Sequence, residues 1–172
     1  DDAETEGDIP SGSTCKDGVF CNTKLAKVYI GDSATEIGSS AFCNCSLLTS
    51  VVIGNSVKSI GYNAFDGCKG LTSIEIPSSV TSIGESAFSS CDSLISLVIP
   101  DNVTKIGQRA FIGCDALKKA DIGDGVTIIG EFAFNGCKAL TTLTLGENVE
   151  KIEDWGFAYC VSLRKIYCNS TT

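Results

Sequence analysis

The chain has no histidine and no methionine, three prolines, one tryptophan, and 13 lysines and arginines among 172 residues. Each shortage removes something. Without histidine there is no imidazole base to activate a serine or cysteine nucleophile, and no imidazole ligand for zinc. No apolar run approaches the ~18 residues that suggest a membrane span. The basic residues stand singly or in pairs, such as Lys118 and Lys119, against 21 acidic ones, for a net charge of −8. A phosphate-binding surface needs clustered Lys and Arg, so nucleic acid is a poor partner, and the acidic balance reads as solubility. The missing initiator methionine implies a processed or trimmed amino terminus. The opening segment, DDAETEGDIPSGST, is acidic, polar and broken by Gly and Pro. It has too little apolar surface to order itself, so residues 1–17 are expected to be a flexible acidic tail.

What is present is a repeat. IGYNAFDGCKGL, IGESAFSSCDSL and IGQRAFIGCDAL are near copies. Phe42, Phe65, Phe88, Phe111, Phe134 and Phe157 are evenly spaced, as are Cys45, Cys68, Cys91, Cys114, Cys137 and Cys160, with a step of 23 and no insertion. Ile37 to Ile152 and Leu48 to Leu163 keep the same step. Each unit holds an extended segment such as LTSIEIP (Leu71 to Pro77), with apolar residues alternating with polar ones as in a half-buried strand. It closes at a breaker column: Gly31, Gly54, Pro77, Pro100, Gly123, Gly146. A second short extended segment, VTSIG, leads into a tight turn or short helical piece. There the Phe fills the interior and the Ala must be small.

A unit of this length cannot bury its own apolar face, but stacked units bury one another's. The expected fold is therefore a repeat solenoid, mostly β with short turns or helical pieces, over residues 18–172. It would comprise one contracted first coil and six 23-residue repeats, its strands parallel and roughly 4.8 Å apart. The winding is expected to be right-handed and slightly curved.

The repeated cysteine sits at a corner where main-chain groups turn inward. A free cysteine packs there as a compact hydrophobe with a weak S–H donor, so the six sulfurs should form a buried ladder of thiols. Inter-rung disulfides are disfavoured, because side chains one rung apart hold Cβ atoms about 4.8 Å from each other, beyond the usual bridging range. A line of sulfurs does not converge on a metal. Cys168 occupies a strand column otherwise filled by Ile and Leu and reads as core; Cys15, in the Ile37 column, reads the same way. Cys21 and Cys43 share an outward column on adjacent coils, where either a disulfide or two unpaired thiols would fit.

The set LTSIEIPSSVTSIGESAFSSC, with its breaker, Ile-Gly, Ala-Phe and Cys in place, resembles the BspA-like leucine-rich repeats, also called the Treponema pallidum type. The departures are Glu153 for Gly, Gly156 for Ala, and the contracted first coil. The resemblance implies a leucine-rich repeat solenoid on a secreted or cell-surface protein. It further implies adhesion to host proteins, matrix components or other cells, and no catalytic residues. The alternative is a structural spacer projecting another domain. No cofactor or metal site is indicated: there is no Gly-rich phosphate loop after a strand and no clustered pair of inward acids.

A protein partner would meet the outward strand columns, which form one flat face. These read Ser50, Ser73, Ser96, Lys119, Thr142, Lys165 and Val52, Glu75, Val98, Asp121, Thr144, Tyr167. An alternative edge carries Arg109, Phe132 and Trp155, the two aromatics being expected to pack under the turn. The carboxyl end lacks a polar capping unit. The chain is therefore expected either to be a fragment of a longer one, or to shield its end with Trp155, Tyr159 and Tyr167. A monomer, or weak end-to-end association, follows from the same consideration.

Overall fold

The computed structural model describes residues 6–9 and 17–169, the first stretch as backbone alone. After β1 (Glu6–Ile9), each coil can supply two strands. The longer strands are β2 (Lys27–Ile30), β4 (Ser50–Ile53), β7 (Ser96–Ile99), β9 (Lys119–Ile122), β11 (Thr142–Leu145) and β13 (Lys165–Cys168). The shorter ones are β3 (Glu36–Ile37), β5 (Ser59–Ile60), β6 (Ser82–Ile83), β8 (Lys105–Ile106), β10 (Ile128–Ile129) and β12 (Lys151–Ile152). Every pairing is parallel and joins equivalent residues of adjacent coils: Ile37 opposes Ile60, and Ile60 opposes Ile83. The short strands make one continuous sheet in the order β3-β5-β6-β8-β10-β12. This is a parallel β-solenoid, and the step of the repeat is the step of one coil.

Alternation decides which side chains enter. In β7, Leu97 and Ile99 are buried while Ser96 and Val98 face out, as period-two pleating requires. The interior is a spine of stacked phenyl rings running from Phe20 through Phe157, with centroids 5.4 Å apart at the first step and 5.0 Å at the last. Ala41, Ala64, Ala87, Ala110 and Ala133 are fully buried where successive main chains come close. Their neighbours Gly84 and Gly107 come closer still: a Cβ on Gly107 would lie 2.6 Å from the Gly84 carbonyl oxygen.

The Ala-Phe segment is a chain of tight turns. In the second coil the amides of Ala41, Cys43 and Cys45 donate three residues back, to Gly38, Ser40 and Phe42. Among the described residues none is helical, so the short helical pieces allowed by the sequence are absent. The reason is local: residues in the left-handed region, such as Ser40 (φ 57°) and Asn44 (φ 55°), recur four positions apart in each turn, and one such residue ends a right-handed helix.

Two further departures bear on the surface. Within the expected tail, Glu6–Ile9 pairs in parallel with β2, Glu6 opposite Lys27. An open sheet edge offers main-chain groups that any sequence can match, so a segment without an apolar pattern can still join it. The expected continuous face is also interrupted. LTSIEIP keeps Ile74 and Ile76 buried but forms no strand, which leaves β1-β2-β4 and β7-β9-β11-β13 as separate sheets. The breaker column explains the gap. At the last described coil the amide of Asn169 donates to Leu145, the rung that closes a strand. Pro77 and Pro100 hold that position on consecutive coils and have no N–H. Residues 73–76 therefore lose the closing rung on both sides.

Candidate functional site

All residues of positive φ among those described fall on two columns, four residues apart. One reads Gly18, Ser40, Asn63, Ser86, Arg109, Phe132, Trp155; the other reads Asn22, Asn44, Gly67, Ser90, Gly113, Gly136, Tyr159. Gly and Asn suit this conformation, and Ser is small enough to be tolerated there. A bulky side chain costs about 1–2 kcal/mol at such a site. Four positions carry that cost, and they adjoin. The Arg109 guanidinium sits 5.3 Å from the Phe132 ring centre. Phe132 and Trp155 are near parallel with centroids 6.4 Å apart, and Trp155 and Tyr159 repeat that spacing. Trp155 is 57% and Tyr159 66% exposed, so Trp155 does not pack under the turn as expected, nor do these rings shield the end. A left-handed backbone swings the side chain outward from the coil; Arg109 and Phe132 are partly covered, and Trp155 and Tyr159 are exposed.

The sheet face is assembled from β7, β9, β11 and β13. It brings Val98, Asp121 and Thr144 around an open hollow of about 290 Å³, together with Asp101 and Asp124 from the breaker corner. Thr144 Oγ1 donates to Asp121 (2.8 Å) and Lys119 Nζ to the same carboxylate (2.7 Å). Val98 stands 60% exposed beside them. Lys165 and Tyr167 continue the face on β13, opposite Thr142 and Thr144. Ser73 and Glu75 lie outside this sheet, on the segment 71–77 that forms no strand. Glu75 instead lines a separate cleft of about 480 Å³ with Val51, Val52, Ile53 and Pro77.

The thiol ladder is closed to reagents and is held by the main chain. Cys45 to Cys137 are fully buried and Cys160 is 8% exposed. Each sulfur donates to a phenylalanine carbonyl on the preceding coil: Cys68 to Phe42 (3.2 Å), Cys91 to Phe65, Cys114 to Phe88 and Cys137 to Phe111 (3.3 Å each). Burial holds the Cys68 and Cys91 thiols well above their ordinary value. For Cys137 the hydrogen bond with Cys114 acts first and burial adds to it. For Cys114 that same bond is the largest influence and pulls the other way, but burial together with the charges of Cys91 and Asp92 outweighs it, and the thiol is raised. These sulfurs are scaffold, and no group of acids, thiols and imidazoles among the described residues could hold a metal ion.

The repeat and the solenoid it builds recur in known proteins. A family model for BspA type leucine rich repeat regions matches residues 13–129 and 109–172, in six copies. The chain belongs to the BspA-type leucine-rich repeat family. A leucine rich cell surface protein from Faecalibacterium prausnitzii is 38% identical and superposes with a TM-score of 0.87, over 97% of this chain and 48% of its own. A leucine-rich repeat protein from Bacteroides ovatus is 33% identical (TM-score 0.83), over 94% of this chain and 45% of its own. The T. pallidum leucine rich repeat protein is 28% identical (TM-score 0.83), over 92% and 78%. The chain thus spans less than half the length of the first two. No curated protein matches it.

Within this BspA-type solenoid the remaining cysteines divide. Cys168 is exposed, not core, because no described coil covers the outer side of β13; Ile166 is 57% exposed for the same reason. Cys15 lies outside the described residues. Cys21 and Cys43 are half-buried free thiols on adjacent turns joined by the Asn22 amide and the Cys43 carbonyl at 2.7 Å. Burial, then the Cys21 thiol, then Asp66 push Cys43 up to about 11. Tyr159 was legible in the sequence only as an aromatic near the end. The signal that would have placed it beside Trp155 is its column, which elsewhere holds only Asn, Gly and Ser.

Proposed function

We propose that this BspA-type chain is a secreted or cell-surface protein-binding module serving adhesion to host or matrix proteins or to other cells, with no catalysis of its own. Repeat scaffolds of this family present outward residues that can change without cost to the core. The observation that carries the reading is the face of β7-β9-β11-β13. There Val98, 60% exposed, borders a hollow walled by Asp121 and Thr144, and none of these three side chains belongs to the buried core. The description of the F. prausnitzii relative as a cell surface protein supports the location. Among the described residues no helix is long and apolar enough to cross a membrane.

The test is capture of immobilised matrix and cell-surface proteins by the chain, then by Val98→Asp and Thr144→Lys. Circular dichroism should show both variants folded. Capture that falls in both variants supports this face. Capture that survives both but falls in Arg109→Ala or Trp155→Ala moves the site to the edge. No capture by the unaltered chain favours a spacer.

A further inference from the structure

The strained edge asks for a separate account. In the two left-handed columns, ten of the fourteen positions are Gly, Ser or Asn, and those coils stack as well as the others. The fold does not need large side chains there. Yet Arg109, Phe132, Trp155 and Tyr159 take such positions consecutively and form one pile, its rings near parallel and its far end open to solvent. Costly backbone at residues that bury little is the pattern expected of a site and not of a scaffold.

Two features state what the pile accepts. The first is the chain's own Arg109, a guanidinium already lodged on the Phe132 ring and paired with Glu85 at 3.7 Å. Ring faces attract cations through their quadrupole, and this contact is an internal example. The second is the neighbouring column. The residues just before Phe132 and Trp155 are Glu131 and Asp154. Glu131 accepts a hydrogen bond from Gln108 at 2.8 Å, and no ion pair with a Lys or Arg is seen for either carboxylate among the described residues. Rings each preceded in the chain by a carboxylate residue, on a chain of net charge −8, complement positive charge.

We propose that Phe132, Trp155 and Tyr159, with Glu131 and Asp154, form a docking site for a basic, Lys- or Arg-bearing segment of a protein partner. Partner cations lie on the ring faces beyond Arg109 and pair with the two carboxylates. Assigning the segment to a protein rests on the protein-binding reading above, but the edge is a different surface from the sheet face.

Trp155 is the chain's single tryptophan, so its emission reports on this spot alone. The full chain is titrated with a synthetic peptide of alternating Lys and Gly, with the same peptide carrying Glu for Lys, and with a neutral glucan oligosaccharide. The Lys peptide should shift the emission saturably, and added salt should weaken it; the other two probes should do nothing. In Tyr159→Asn and Phe132→Asn, affinity should fall at least tenfold while the melting temperature holds or rises, since Asn suits the backbone at both places. Glu131→Gln with Asp154→Asn should also weaken binding and flatten its salt dependence. Val98→Asp should bind normally, which separates this proposal from the sheet-face reading. No saturable shift with the Lys peptide, unchanged affinity in Tyr159→Asn, or a response to the glucan in its place would each overturn it.

Discussion

Raising the pH should unfold this solenoid cooperatively through its thiol ladder. Cys68, Cys91, Cys114 and Cys137 have thiol pKa values raised above the ordinary 9.0 in the native chain, and that ordinary value returns on unfolding. A group whose folded pKa is raised contributes its full stability below the unfolded value, and the contribution is lost as pH climbs toward the folded one. The window therefore opens near pH 9.0 and extends upward. Each thiol removes about 1.4 kcal/mol per pH unit once the unfolded chain ionises and the native one does not. Cys68 and Cys137 together remove about 3 kcal/mol by roughly pH 10 and about 5 kcal/mol by roughly pH 11, and Cys91 and Cys114 add to that loss, against a net stability on the order of 5–15 kcal/mol for a typical domain. Urea midpoints across this range should fall steeply, and Cys68, Cys91, Cys114 and Cys137 should become reactive to a thiol reagent together with the loss of the β circular-dichroism signal. Cys91→Ala should lower stability at neutral pH by about 1 kcal/mol or more through a small cavity, and should shallow the pH slope by about a quarter. Labelling of Cys68, Cys91, Cys114 and Cys137 by a thiol reagent near pH 9, with the β signal intact, would refute the reasoning. So would a slope that Cys91→Ala leaves unchanged.

Native protein treated with a thiol reagent at neutral pH should label Cys168 first and Cys21 next, while Cys68, Cys91, Cys114 and Cys137 react only after denaturation; rapid labelling of those four would contradict their burial. A small disulfide oxidant such as oxidised glutathione should join Cys21 to Cys43, two thiols giving one disulfide as the oxidant is reduced to its thiols. Peptide mapping would locate the link, and the closed loop should add about 3 kcal/mol. Gly107→Ala places a methyl group against the Gly84 main chain and should cost roughly 2 kcal/mol or more; a melting temperature unchanged from the parent would show that adjacent coils can part at that corner.

How much was legible in the sequence follows from what a stacked repeat does. When each coil lies on the previous one in register, a column of like residues must be a column of like environments. Periodicity alone therefore placed the phenyl spine, the buried alanines and the thiols of Cys45 to Cys160, and the strand ends at Ile30, Ile53, Ile99 and Ile122. It could not show where neighbouring coils fail one another. Residues 73–76 look like the best strand in the sequence, and their loss of pairing depends on two prolines meeting across adjacent coils. Cys168 looks like core, but it needs a covering coil to be core. The backbone handedness of the turn columns is also a tertiary matter, set by how the chain must bend to stack. Only once Ser40, Asn63 and Ser86 are seen at positive φ do Arg109, Phe132, Trp155 and Tyr159 stand out as large residues held where small ones suffice.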